Sequence, residues 1–147
     1  MGIQVSRAAI NDLHGLLLLY TQLHDNKMPA IDDDITALWA QIVSDHKHNI
    51  IVCKADENIV SSCVITIIPN LTHDQRPYAL IENVITEEAH RHKGYASAVL
   101  DYAKQMALEH NCYKIMLLTG SKDESTLHFY RNAGYNSQDK TAFIQWL

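Results

Sequence analysis

Ile81-Glu82-Asn83-Val84-Ile85-Thr86-Glu87-Glu88-Ala89-His90-Arg91-His92-Lys93-Gly94-Tyr95-Ala96-Ser97-Ala98 is the stretch on which the fold turns. It closes an apolar, β-branched run from Tyr78 to Thr86 that reads as a strand. Glu87 to Lys93 is charged and holds an Arg, a Lys and two His. After Gly94 the apolar period changes. Ala96, Val99, Leu100, Ala103 and Ala107 fall on one face of a helix. A strand therefore runs into a basic turn, and the turn opens a helix. The first amides of a helix lack internal partners and sit at the positive end of its dipole, so a pyrophosphate fits there. Gly94, without a Cβ, admits close approach of the backbone. Ala96 keeps the next turn small, and Arg91 and Lys93 add full charges.

The flanks extend the pattern. Upstream, Asn49 to Lys54 and Ile59 to Ile68 are apolar runs around the turn Ala55-Asp56-Glu57-Asn58, which reads as a hairpin. Pro69-Asn70 ends the return strand, and Leu71 to Pro77 is a loop. Downstream, Tyr113 to Thr119 reads as a strand apolar on both faces and hence central. Ser125 to Asn132 reads as a short helix closed by Gly134, and Thr141 to Trp146 as a last strand. At the other end, Ile3 to Ala8 is a strand with Ile3 and Val5 on one face. Asn11 is the expected N-cap of a helix through Leu23. His24 to Ile31 is a loop broken at Pro29. One of Asp32, Asp33 or Asp34 caps a helix to about Ser44, with Ile35, Leu38, Trp39 and Ile42 inward. The order is β-α-α-β-β-β-α-β-α-β. The unit from Tyr78 to Thr119 is parallel and right-handed, and the hairpin makes the rest of the sheet antiparallel. This is a mixed α/β fold.

Composition narrows the function classes. At 147 residues the length suits one domain, spanning 3–147, with a single sizeable core. A formal net charge of −5 argues against general nucleic-acid binding. Against it, His90 to Lys93 is a basic island suited to a small anion. No apolar run reaches the roughly 18 residues of a membrane span. Met1 to Arg7 has no basic-then-apolar signal region, and with Gly2 and Ser6 it carries only the outline of a myristoylation signal. Cys53, Cys63 and Cys112 form no Cys-x-x-Cys pair, which fits reduced thiols in a cytoplasmic protein.

Arg91-His92-Lys93-Gly94-Tyr95-Ala96 resembles the Arg/Gln-x-x-Gly-x-Gly/Ala signature of the GNAT superfamily of acetyl-CoA-dependent N-acetyltransferases. Phe129-Tyr130-Arg131-Asn132-Ala133-Gly134-Tyr135 is similar to the family's Phe-Tyr-x-x-x-Gly-Phe/Tyr segment. The resemblance covers about Ile59 to Phe143. It implies the same fold, with two splayed parallel strands and the pantetheine arm of acetyl-CoA between them. It also implies cofactor contacts from the backbone of Val84, Ile85 and Thr86, and from Arg91, His92, Lys93, Gly94, Tyr95 and Ala96 around the pyrophosphate. The turn is neither a Walker A loop, since Lys93 precedes its glycine, nor a Rossmann fingerprint, since two glycines are missing.

Two side chains are the expected catalysts. A primary amine with a pKa near 10.4 lies roughly 4.6 kcal/mol from its neutral form at pH 7, so a proton acceptor helps. Glu82 stands inside an otherwise apolar strand, where burial would strengthen it as an acceptor; the alternative is a carboxylate turned to solvent or paired with a lysine. Tyr130 matches the family tyrosine that protonates the departing thiolate; the alternative is an aromatic packing on the sheet. Many relatives carry Asn where Asp123 stands, and an ionised Asp is acceptor-only. His90, His92, His110 and Cys112 do not make a metal site, because the helix between the pairs separates them by about 24 Å. Asp25 and Asp32 to Asp34 could attract a cationic amine or simply cap and solvate. The expected acceptor is a small amine; a protein lysine or N-terminus, or an acyl-CoA-binding module without turnover, are the alternatives. Exposed strands near the C-terminus make a homodimer a candidate assembly.

Overall fold

A computed structural model describes residues 2–24 and 26–147. They form two compact units, Met1–Met116 and Leu117–Leu147. In the first, β1 (Ile3–Arg7) leads through a 3₁₀ turn (Ile10–Asp12) into α1 (Leu13–Tyr20) and then α2 (Asp33–Ser44). Strands β2 (His48–Ala55), β3 (Asn58–Ile68) and β4 (Tyr78–Thr86) follow. A second 3₁₀ turn (Glu88–His90), α3 (Tyr95–Glu109) and β5 (Ile115–Leu117) complete the sheet, whose order is β1-β2-β3-β4-β5. The second unit holds α4 (Glu124–Asn132).

Strands β1 to β4 pair antiparallel. β5 starts alongside β4, where Tyr113 N–H donates to Pro77 O and Ala79 N–H donates to Lys114 O, each at 3.0 Å. Both strands advance together there, so this pair is parallel, as the 28-residue crossover from β4 through α3 requires. Side chains alternate across the sheet. Ile50, Val52 and Val64 join Leu16 of α1 and Trp39 of α2 in one core cluster. Their neighbours Ile51, Cys53 and Cys63 are fully buried on the other face, where the Cys63 thiol meets Val99 O of α3 at 3.6 Å. The α3 face buries Val99, Leu100, Ala103 and Ala107, the positions the period predicts.

Several expectations change. Asn11 is not a cap. Ala9 precedes the first 3₁₀ turn, and the Asp12 carboxylate accepts from Ala9 N–H at 2.7 Å while pairing with Lys54 at 2.7 Å. α1 ends at Tyr20 rather than Leu23, continued only by turn hydrogen bonds. Asp32 is the cap of α2, its Oδ1 accepting from Ile35 N–H at 3.0 Å. Leu38 faces solvent rather than the core. The strand expected at the sheet centre, β5, stands at its end. Apolar residues on both faces do not report whether both edges are paired. The last expected strand, Thr141 to Trp146, has no regular structure, and Phe143 and Trp146 are 92% and 86% exposed. Alternating apolar residues become a strand only when their backbone groups meet a ladder partner.

Candidate active site

Two local departures from regular structure shape the end of β4. The first is a bulge. Val64 of β3 opposes Glu82, while Ser62, two residues back, opposes Ile85, three residues on. Asn83 within the bulge takes a left-handed φ of 52°. Asn is among the few residues with a Cβ that tolerate this region. Glu82 and Asn83 are both exposed, against buried Ile81 and Ile85. Glu82 is thus available to a ligand, but the burial expected to strengthen it is absent.

The second departure is the turn into α3. Its N-cap, Gly94, has φ 84°, a left-handed value that accounts for glycine here. Close approach of the backbone is the other reason the sequence suggests for a glycine here. An added Cβ would meet nothing within 4 Å, so conformation is the constraint that the protein itself imposes. His92 is also left-handed, at φ 61°. Among the described residues no side chain caps α3, and its first turn has no acidic residue. Its leading amides therefore face the exposed turn Arg91-His92-Lys93-Gly94. These residues fit a diphosphate: open space before the glycine, unmatched amides and two cations, with no competing carboxylate in the helix turn.

Nearby contacts fix the turn. Arg91 Nε–H donates to Thr86 O at 3.2 Å, anchoring a guanidinium that has further donors for a phosphate. The Ser61 hydroxyl donates to Ile85 O at 3.1 Å and shares a hydrogen bond with the Thr86 hydroxyl at 2.8 Å. His90 hydrogen-bonds Glu87, which holds the Glu87 carboxyl below its usual range. The Tyr95 ring lies 6.0 Å from that of His90. Glu88 N–H donates to Gln22 Oε1 at 2.9 Å, fastening the segment after α1 to the turn after β4. Val84 and Ala96 are half-buried beside these groups.

In the second unit, Tyr130 is half-buried on α4, with Phe129 and Tyr135 edge-on to its ring at 5.2 and 6.4 Å. Gly134, at φ 97°, closes α4. Gly134 N–H donates to Arg131 O and Tyr135 N–H donates to Tyr130 O. That is a Schellman closure, and it sets Tyr130 in the last turn. Asp123 is the N-cap of α4, with no hydrogen bond from its side chain to the helix. Asp25 lies outside the described residues. Asp32 is occupied by capping, while Asp33 and Asp34 are exposed in the same turn. Among the described residues, no group of three or more His, Cys, Asp or Glu could hold a metal ion, and no helix is long and apolar enough to cross a membrane.

A model of the acetyltransferase (GNAT) family matches residues 14–135. The chain belongs to the GNAT family. Among solved structures it is similar to "Putative acetyltransferase from Agrobacterium tumefaciens str. C58", at 37% identity and TM-score 0.91 over 98% of this chain and 99% of that one. At 18% identity and TM-score 0.86 it shares the fold of glucosamine-6-phosphate N-acetyltransferase from Arabidopsis thaliana, over 99% of each chain. At 15% identity and TM-score 0.79 it shares that of AAC(6')-Iy in complex with the bisubstrate analogue CoA-S-monomethyl-acetylneamine, over 100% of this chain and 99% of that one. The GNAT family binds acetyl-CoA, and the turn before α3 carries the family signature. Sequence reasoning passed over Asn83, although an Asn in a strand is a signal of left-handed backbone. It also passed over Gln22, for which no local signal exists.

Proposed function

We propose that this GNAT protein transfers the acetyl group of acetyl-CoA to the primary amine of a small acceptor, by direct attack in a ternary complex. The observation that carries the reading is the uncapped start of α3 behind left-handed Gly94, immediately after a strand that bulges. On this reading, the α3 amides with Arg91 and Lys93 hold the diphosphate, and His92, Tyr95 and Ala96 line it. Backbone groups of Val84, Ile85 and Thr86 pair with the pantetheine and polarise the thioester carbonyl. A backbone N–H aimed at a developing oxyanion is worth about 3 kcal/mol.

The acceptor arrives as an ammonium. Glu82, exposed beside the bulge, takes its proton directly or through water. The amine nitrogen then attacks the carbonyl carbon, the C–N bond forms and the C–S bond breaks. Tyr130 protonates the departing sulfur, and the proton the nitrogen loses on amide formation restores the phenol directly or through solvent, while Glu82 releases its own to solvent. The three cysteines are buried, and burial pushes the Cys63 thiol up to about 12. This disfavours a thiolate carrier and supports direct transfer.

The test is coenzyme A release by purified protein with a panel of amines. Amine-dependent release is expected, and Glu82→Gln and Tyr130→Phe should each lower kcat/KM by about tenfold or more. Cofactor binding without release would instead identify a binding module. Unchanged kcat/KM in both variants would remove the two assigned roles.

A further inference from the structure

Behind the bulge lies a side chain that the proposed chemistry leaves without work. Tyr20 ends α1, and its hydroxyl oxygen is buried with no hydrogen-bond partner among the described residues. Burial pushes this phenol up to about 12, a shift opposed by the Ser62 hydroxyl and the Asn83 carboxamide within its reach. A buried hydroxyl left without a partner is costly, and the Asn83 carboxamide is an exposed, broad rotor that can turn to meet it.

The direction of the bonds follows from counting protons. Ser62 Oγ donates its single proton to Ile51 O at 2.8 Å. Toward Tyr20 it can only accept. A bond between them would therefore run from the Tyr20 hydroxyl to Ser62, leaving the Tyr20 oxygen to accept from the Asn83 amide nitrogen once that carboxamide turns toward it. The relay so completed would run in the order Asn83, Tyr20, Ser62, Ile51 O, its last link being the Ser62 bond already in place. The first member sits at φ 52° in the bulge, a conformation that persists only where surroundings over-determine it.

Resting on the acetyl-transfer reading above, we propose that Tyr20 is a positioning residue. Through Asn83 it locks the β4 bulge, and the bulge sets the Val84 backbone that faces the thioester. α1 thereby becomes part of the catalytic scaffold rather than only a cover for the core.

The test uses Tyr20→Phe, Asn83→Gly, Ser62→Ala and the Tyr20→Phe/Asn83→Gly double variant. Glycine keeps the left-handed backbone and removes the carboxamide, so the double variant isolates the relay. Two quantities are read: kcat and KM for acetyl-CoA with an amine that supports turnover, and amide hydrogen exchange across 82–86. Tyr20→Phe should lower kcat about tenfold with KM for acetyl-CoA within about twofold, and raise exchange about tenfold. In the Asn83→Gly background it should add nothing further. Ser62→Ala should raise exchange as Tyr20→Phe does. Equal effects of Tyr20→Phe in both backgrounds, unchanged exchange, or a silent Ser62→Ala would each overturn the relay. If wild-type protein releases no coenzyme A with any amine, the transfer reading fails, while the exchange data still decide the relay. Should Tyr20→Phe not fold, Asn83→Gly and Ser62→Ala must still raise exchange in 82–86 alone.

Discussion

Helices α2 and α3 begin in opposite ways. Asp32 caps α2 with its own carboxylate, and Asp33 and Asp34 follow in the first turn. α3 starts at Gly94 with no side-chain cap and no acid in its first turn, just after Arg91 and Lys93. Both helices carry the same dipole, positive at the start. In α2 that potential is neutralised by the chain itself, so the terminus serves stability. In α3 the demand for an anion is left open, which is unfavourable for an isolated domain and useful only if a ligand meets it. A helix start that its own sequence does not satisfy is thus a stronger pointer to a site than a cluster of charge.

Four changes separate the two termini, beginning with the largest effect. Gly94→Val puts a β-branched side chain at φ 84°, where it is a genuine outlier. Affinity for coenzyme A by isothermal calorimetry should fall about a hundredfold. A loss under about threefold would detach the α3 terminus from the cofactor. Next, the Arg91→Glu/Lys93→Glu pair should weaken binding about tenfold at low salt, with the gap narrowing at high salt. A salt-independent loss would point to misfolding instead. Ala96→Asp should act with opposite signs on the two readouts, raising thermal stability by a few tenths of a kcal/mol while lowering affinity about fivefold. If both move together, α3 is not waiting for an anion. Asp32→Ala, the α2 counterpart, should cost about 1 kcal/mol in denaturant unfolding and leave coenzyme A affinity unchanged.

The smallest effect is one of pH. The hydrogen bond from His90 lowers the Glu87 carboxyl. A carboxyl lowered by folding contributes stability above its unfolded value, and that contribution is lost as pH falls through the folded value. Glu87→Gln should therefore flatten the acid limb of the stability curve slightly and leave neutral pH and above otherwise parallel. An unchanged acid limb would leave the His90 contact without thermodynamic weight.

Much of this was legible in the chain. Tyr78 to Thr86 is β4 to the residue, and the α3 face falls where a 3.6-residue period puts it. Local rules decide such features: period, β-branching and the positive φ that Gly94 alone tolerates cheaply. Glu82 stands out in the sequence as a carboxylate in an apolar strand, but its exposure opposite buried Ala79 and Ile81 could not be read, because a strand apolar at nearly every position does not say which face reaches water. Leu38 and Asn11 failed for a related reason, since one position of rotation decides burial and Asp12 outcompeted its neighbour for the turn amide.

The sequence by itself determined the order of most elements, the basic turn with its glycine, and the family signature, because each is written in neighbouring residues. Tertiary structure alone decided that β5 lies at the edge, that Gln22 reaches Glu88 across 66 positions, and that Tyr20 sits behind Asn83. Those facts depend on which surfaces meet after the sheet is built. Pairing and packing energies between distant residues leave no mark in any local window.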